Sequence, residues 1–121
     1  MSWNWHGYLD LAIFLEQYKG EDFSLEAGQR TAASRAYYCA FQYAKKYAIA
    51  KLDFKPSNSR FDHRDLVNWF RKRGLGRKYW KPLQDLLEWR EKCDYEDAVE
   101  NVDQISNAAI QQTKSLVQLL S

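Results

Sequence analysis

The stretch Ser24 to Ala50, SLEAGQRTAASRAYYCAFQYAKKYAIA, decides the fold. Within it Ala33, Tyr37, Ala40, Ala44 and Tyr47 step by four and three, the spacing that puts residues on one face of an α-helix. Ser24 carries the side-chain oxygen an N-cap needs, so the spacing predicts a helix from there to about Ala50. Its alanines let a neighbouring helix approach closely while its rings fill the space on either side. This is the expected centre of a helical bundle.

Outward from that centre, the remaining segments carry the same period. Before it, Tyr8, Leu11, Ala12 and Leu15 define a first helix face, closed by Gly20 and the polar pair Glu21-Asp22. After it, Lys55-Pro56-Ser57-Asn58-Ser59 collects turn and breaker residues, and a shorter helix carrying Leu66, Trp69 and Phe70 follows, ended by Gly74 and Gly76. A fourth helix carries Trp80, Leu83, Leu87 and Arg90, with Pro82 expected in its first turn, where a missing N–H costs nothing. Asp94 is expected to cap the last helix, with Glu96 and Asp97 in its first turn and Ala98, Val102, Ile105, Ala109, Leu116 and Leu119 on its apolar face.

Length and composition agree with one such unit. A chain of 121 residues is the size of one domain, read here as a single domain over 1–121, and five Gly and two Pro are too few for a series of short strands and turns. The expected class is all-α, an antiparallel four-helix bundle with an additional short helix. No apolar run approaches the roughly 18 residues of a membrane span, and MSWNWHGYLD lacks the basic and apolar regions of a leader, so a cytoplasmic protein without a membrane partner is expected. Cys39 and Cys93 are read as isolated thiols.

Charge is distributed unevenly. From Arg60 to Lys81 eight basic residues face two acidic ones, a local balance of +6, and from Glu88 to Asp103 seven acidic residues face two basic ones, a balance of −5. Within the first block Arg71, Lys72, Arg73, Arg77, Lys78 and Lys81 are interleaved with Tyr79 and Trp80, a pattern able to neutralise phosphates and stack bases at once. The same residues are also what a solvated helix end favours. No metal or other cofactor is expected, because His6 and His63 each lack a second strong ligand at helical spacing. Asp62 and Asp65, beside His63, read as a helix start.

Two segments carry a resemblance. Ser34-Arg35-Ala36-Tyr37-Tyr38-Cys39-Ala40-Phe41 resembles the S-R-A-Y-Y-x-A-F stretch in the second helix of many small HEPN proteins. Arg90-Glu91-Lys92-Cys93-Asp94-Tyr95 is similar to their R-x-x-A-D-Y stretch between the last two long helices, with Cys93 where Ala is usual. The likeness runs from about Tyr8 to Leu120. It implies an antiparallel helical bundle that usually dimerises, found in bacterial and archaeal toxin–antitoxin and defence systems, often beside a small nucleotidyltransferase, with many relatives acting as metal-independent RNases. Those RNases use an R-x(4–6)-H pair that this chain lacks, since only Arg60 shortly precedes His63, with two residues between them.

The expected function is therefore a binding module that engages RNA, a nucleotide or a nucleotidyltransferase partner, with catalysis left open because the R-x(4–6)-H pair is absent. Arg35, Tyr38, Arg90, Asp94 and Tyr95 are the candidate ligand-binding residues, and the basic segment named above is the candidate nucleic-acid surface. The alternatives are a divergent metal-independent RNase using His63, Arg90 and Tyr95, and a non-catalytic assembly subunit. Arg90 and Asp94, four residues apart, could instead simply pair with each other. Nineteen aromatic residues exceed what one small bundle readily buries, so a two-fold homodimer is expected, with helices two and five contributing and Tyr38 or Phe41 near the seam.

Overall fold

The computed structural model describes residues 3–121, and among these the regular elements are five α-helices. They are α1 (His6–Gln17), α2 (Leu25–Lys51), α3 (Asp62–Lys72), α4 (Arg77–Tyr95) and α5 (Val102–Leu120). Helix α2 starts as the sequence implies, with the Ser24 hydroxyl accepting from the Ala27 N–H at 3.1 Å. It touches each of the other four helices, and α3 is the short addition lying against α2 and α4. No helix among the described residues is long and apolar enough to cross a membrane.

Small side chains make α2 central. Ala32, Ala33, Ala36, Ala40, Ala44 and Ala48 are all fully buried, and Gly28 lies so close to α1 that a Cβ there would meet the Leu15 carbonyl oxygen at 2.7 Å. Tyr37, Phe70, Leu66, Leu83, Leu86 and Leu116 fill the space between helices. Contacts at successive levels fix the directions. Ser34 meets Asp94 and Tyr47 meets Tyr79, so α2 and α4 run antiparallel; Arg64 meets Glu91 and Arg71 meets Trp80, so α3 and α4 form an antiparallel hairpin. Gly74, with φ of +73°, takes the left-handed conformation that turns the chain between them.

Four local expectations are corrected. Leu11 is exposed, and Leu9 with Ala12 faces the core, because α1 is rotated relative to the stripe drawn from its leucines. Pro82 lies in the second turn of α4, leaving the Lys78 carbonyl without its intrahelical donor, and Lys78 is exposed so water can serve it. Asp94 does not cap α5: α4 continues to Tyr95, and Glu96, Asp97 and Ala98 belong to the following loop. The N-cap of α5 is Asn101, in the left-handed region. Phe41, a candidate for the dimer seam, is buried in the chain's own core against Tyr37 and His63.

The physical cause of the α4 extension is Arg30. Its Nη1 donates to the carbonyls of Cys93 at 3.2 Å and Glu96 at 2.6 Å, and its Nη2 to that of Asp97 at 3.1 Å. One guanidinium thus satisfies carbonyls at the end of α4 and just beyond it, the groups a helix C-terminus leaves without partners.

Candidate functional site

The open end of the α3–α4 hairpin forms a cleft of about 1010 Å³, whose lining includes Tyr38, Phe61, His63, Arg64, Arg90 and Tyr95. Helix α2 supplies Tyr38, the start of α3 supplies His63, and the end of α4 supplies Arg90 and Tyr95. The two motif segments therefore meet in space. Ser34 donates to the Asp94 carboxylate at 3.1 Å, and Arg90 Nη2 donates to the hydroxyl of Tyr38 at 2.7 Å and to that of Tyr95 at 3.3 Å.

Cations and rings alternate through this region. The Arg35 guanidinium lies 4.8 Å from the Tyr8 ring centre and 4.9 Å from that of Tyr38, and Arg90 lies 5.3 Å from both Tyr38 and Tyr95. Tyr8, Arg35, Tyr38, Arg90 and Tyr95 so form a ladder that runs outward from α1 and ends on Tyr95, which is 72% exposed. Asp94 stands 3.0 Å from Arg90 Nε, so the expected intrahelical pair is present, and it orients the guanidinium from behind. Burial would lower the Arg90 pKa, but Tyr38, Tyr95 and Asp94 outweigh it and hold the group firmly charged.

His63 occupies the opposite wall. The Tyr37 hydroxyl is hydrogen-bonded to His63 Nδ1. Burial pushes the Tyr37 pKa far up, so its proton stays on, and Nδ1 is the one acceptor it meets among the described residues. Burial first, and the Arg90 charge second, push His63 below its ordinary value. A neutral imidazole accepting at Nδ1 carries its proton on Nε2. Below it Asp62, almost fully buried, accepts from the Ser57 N–H at 2.8 Å, the Ser57 hydroxyl at 2.7 Å and the Asn58 N–H at 2.9 Å. Burial would raise that carboxyl, and these hydrogen bonds outweigh it and hold it below the ordinary value.

Of the five expected ligand-binding residues, Tyr38, Arg90 and Tyr95 line the cleft, whereas Arg35 and Asp94 stand behind them as supports. The weak catalytic trio of His63, Arg90 and Tyr95 is brought to this one cleft. Sequence reasoning missed Arg60, Phe61, Arg64 and Asn68 in its wall, and Tyr37 as the partner of His63. The cleft is balanced in charge: Arg60, Arg64, Arg90 and Lys92 face Asp65, Glu88, Glu91 and Glu96, with Arg64 and Glu91 paired at 3.3 Å.

The basic segment lies at the closed end of the hairpin. Arg71 stacks on Trp80 at 4.4 Å with Arg77 at 5.7 Å, Arg73 on Trp69 at 4.6 Å, and Lys78 on Tyr79 at 5.6 Å. Lys81 is committed to Asp85 at 2.6 Å. From His63 to Arg71 along α3 is about 12 Å at 1.5 Å per residue, so this surface and the cleft are separate stations on one hairpin.

Searches against family models, curated proteins and solved structures return no match to this chain.

Proposed function

We propose that the chain is a HEPN-like binding module whose α3–α4 cleft takes RNA or a nucleotide. The carrying observation is the interlock of the two motif segments, Ser34 with Asp94 and Tyr38 with Arg90, which engages Arg90 through Nη2 and Nε and leaves Nη1 and an exposed Tyr95 ring beside His63. An arginine fixed between two tyrosines presents donors to a phosphate, and Tyr95 offers a surface on which a base stacks. Because the cleft carries equal numbers of cations and carboxylates, binding there rests on stacking and directed hydrogen bonds. The carboxylates can accept from ribose hydroxyls and base amino groups. The exposed cations of the basic segment add a salt-sensitive contribution.

Titration of labelled single-stranded RNA, followed by fluorescence anisotropy, tests this reading. Arg90→Ala is expected to weaken binding at least about tenfold while the helical circular dichroism stays intact. Equal binding by parent and variant, or none by either, refutes it.

A second reading, metal-independent RNA cleavage, draws on the presence of His63 and Arg90 in one cleft. Arg90 would stabilise charge on the phosphate as the ribose 2′-OH attacks phosphorus and the bond to the 5′ oxygen breaks; His63, whose Nε2 carries its proton, would hydrogen-bond the departing oxygen, and the proton lost by the 2′-OH would reach that oxygen through water. RNA that stays intact with purified protein in EDTA rejects it. The same proposal includes a two-fold homodimer and engagement of a nucleotidyltransferase partner. For the dimer, the exposed apolar candidates include Leu11 and Phe14 on α1 and Leu25 and Ile49 on α2, while Tyr38 is half-buried.

A further inference from the structure

A second cavity, of about 540 Å³, opens on the other side of α3. Phe54, Lys55, Trp69, Lys72 and Arg73 contribute to its wall, and it shares Asp65 and Asn68 with the His63–Arg90 cleft. Those two residues are three apart and both exposed, so they form a ridge with a cavity on either flank. Each flank ends in an aromatic–cation pair: Arg90 with Tyr95 on one, Arg73 with Trp69 on the other. Trp69 is held in place, its Nε1 donating to the Leu52 carbonyl at 2.7 Å and its ring packed edge-on to Phe54.

We infer that the two cavities form one track and that the ligand is a single strand of nucleic acid crossing α3, with bases stacked at Tyr95 and at Arg73. This rests on the function proposed above and specifies its substrate as a polymer. Three features on the page favour a strand over a free nucleotide. The stations are joined by a shared wall, so one flexible chain can occupy both. The far station has three cations, Lys55, Lys72 and Arg73, against Asp53 and Asp65, a net positive balance able to meet backbone phosphate. The ridge itself carries the Asp65 carboxylate, which repels a phosphate but accepts from a ribose hydroxyl or base amino group, so the phosphates fall to its two sides. Stacking needs unpaired bases, which excludes a duplex.

The test measures affinity against length for mono-, di-, tetra- and octanucleotides, in parallel ribo and deoxyribo series, with an octanucleotide duplex alongside. The expected result is a gain of at least about thirtyfold from mononucleotide to octanucleotide in at least one series, with the duplex weaker. Removing Lys72 and Arg73 together (Lys72→Ala with Arg73→Ala) is expected to weaken the octanucleotide about tenfold and leave the mononucleotide unchanged. Removing the same charge from Arg77 and Lys78, which line neither cavity, is expected to weaken it by no more than about threefold.

A mononucleotide that binds as tightly as the octanucleotide overturns the track and leaves the cleft reading standing. Equal losses from the two charge-matched pairs, or a duplex bound as tightly as the strand, also overturn it. No binding by any member of either series overturns both.

Discussion

Ser34 and Asp94, sixty positions apart in the chain, are joined by a hydrogen bond of 3.1 Å. The same Asp94 carboxylate lies 3.0 Å from Arg90 Nε, and Arg90 reaches from there to Tyr38. A serine in the third turn of α2 thereby governs where a guanidinium near the end of α4 points. Ser34→Ala removes a small, buried donor and is expected to cost about 1 kcal/mol in urea unfolding. Binding of single-stranded RNA should weaken a few-fold through the loosened Arg90, a change that anisotropy will detect.

Arg90→Lys keeps the charge but loses the planar fork that reaches two tyrosine hydroxyls and a carboxylate. RNA binding by this variant is expected to be close to that of Arg90→Ala. Recovery of parental affinity by lysine would mean that charge alone matters at this position.

Arg30 holds three carbonyls at and beyond the end of α4, which no other side chain among the described residues serves. Arg30→Ala should lower stability by about 2–3 kcal/mol, read as a shift in the urea midpoint. Arg30→Lys should recover little of it, since one ammonium cannot span the three acceptors.

The depressed His63 pKa gives stability a definite pH dependence. As pH falls below the ordinary value of 6.5, the unfolded chain takes up a proton before the folded one does, so the stability from this residue is full above that value and declines as pH falls through the lower, folded value. His63→Asn preserves an acceptor for the Tyr37 hydroxyl and cannot titrate. Between about pH 7.5 and 5.5 the parent should lose stability while this variant holds constant. Parallel losses in the two proteins would place the titration elsewhere. Asp62 acts in a separate, more acidic window: its stabilisation is present above the ordinary 3.8 and is lost as pH falls through the depressed value.

Light scattering addresses assembly. The proposed homodimer should give twice the 14.4 kDa of one chain at micromolar concentration, and Phe14→Asp, on the exposed face of α1, should return it to one chain with its helicity unchanged. A parent protein of single-chain mass refutes the dimer.

The course of the five helices was legible because their signals are local. Alanine and ring spacing marks α2, Ser24 caps it, and Gly74 closes α3, each within a few residues of the feature it controls. Leu11 misled because α1 has apolar residues on more than one side, and only the position of α2 decides which of them is covered. The end of α4 was misplaced for a similar reason. Asp94 followed by acidic residues looks like a helix start, and the groups that overrule it are Arg30, some 63 to 67 positions upstream, and Ser34. In the site, motif likeness singled out Tyr38, Arg90 and Tyr95, but nothing in the linear order says that Arg35 stands behind Tyr38 or that Tyr37 meets His63.

The fully buried alanines of α2, with Gly28 against the Leu15 carbonyl, have a consequence for how this chain can vary. At these alanines the inward face has little volume to lose, yet every added methyl must push a neighbouring backbone outward, at about 1–3 kcal/mol each. In a saturation library, α2 should therefore tolerate serine or glycine at these alanines better than valine or leucine, while the leucines of α4 should show the opposite bias. Drift in sequence can therefore soften the bundle at its centre far more readily than it can widen it.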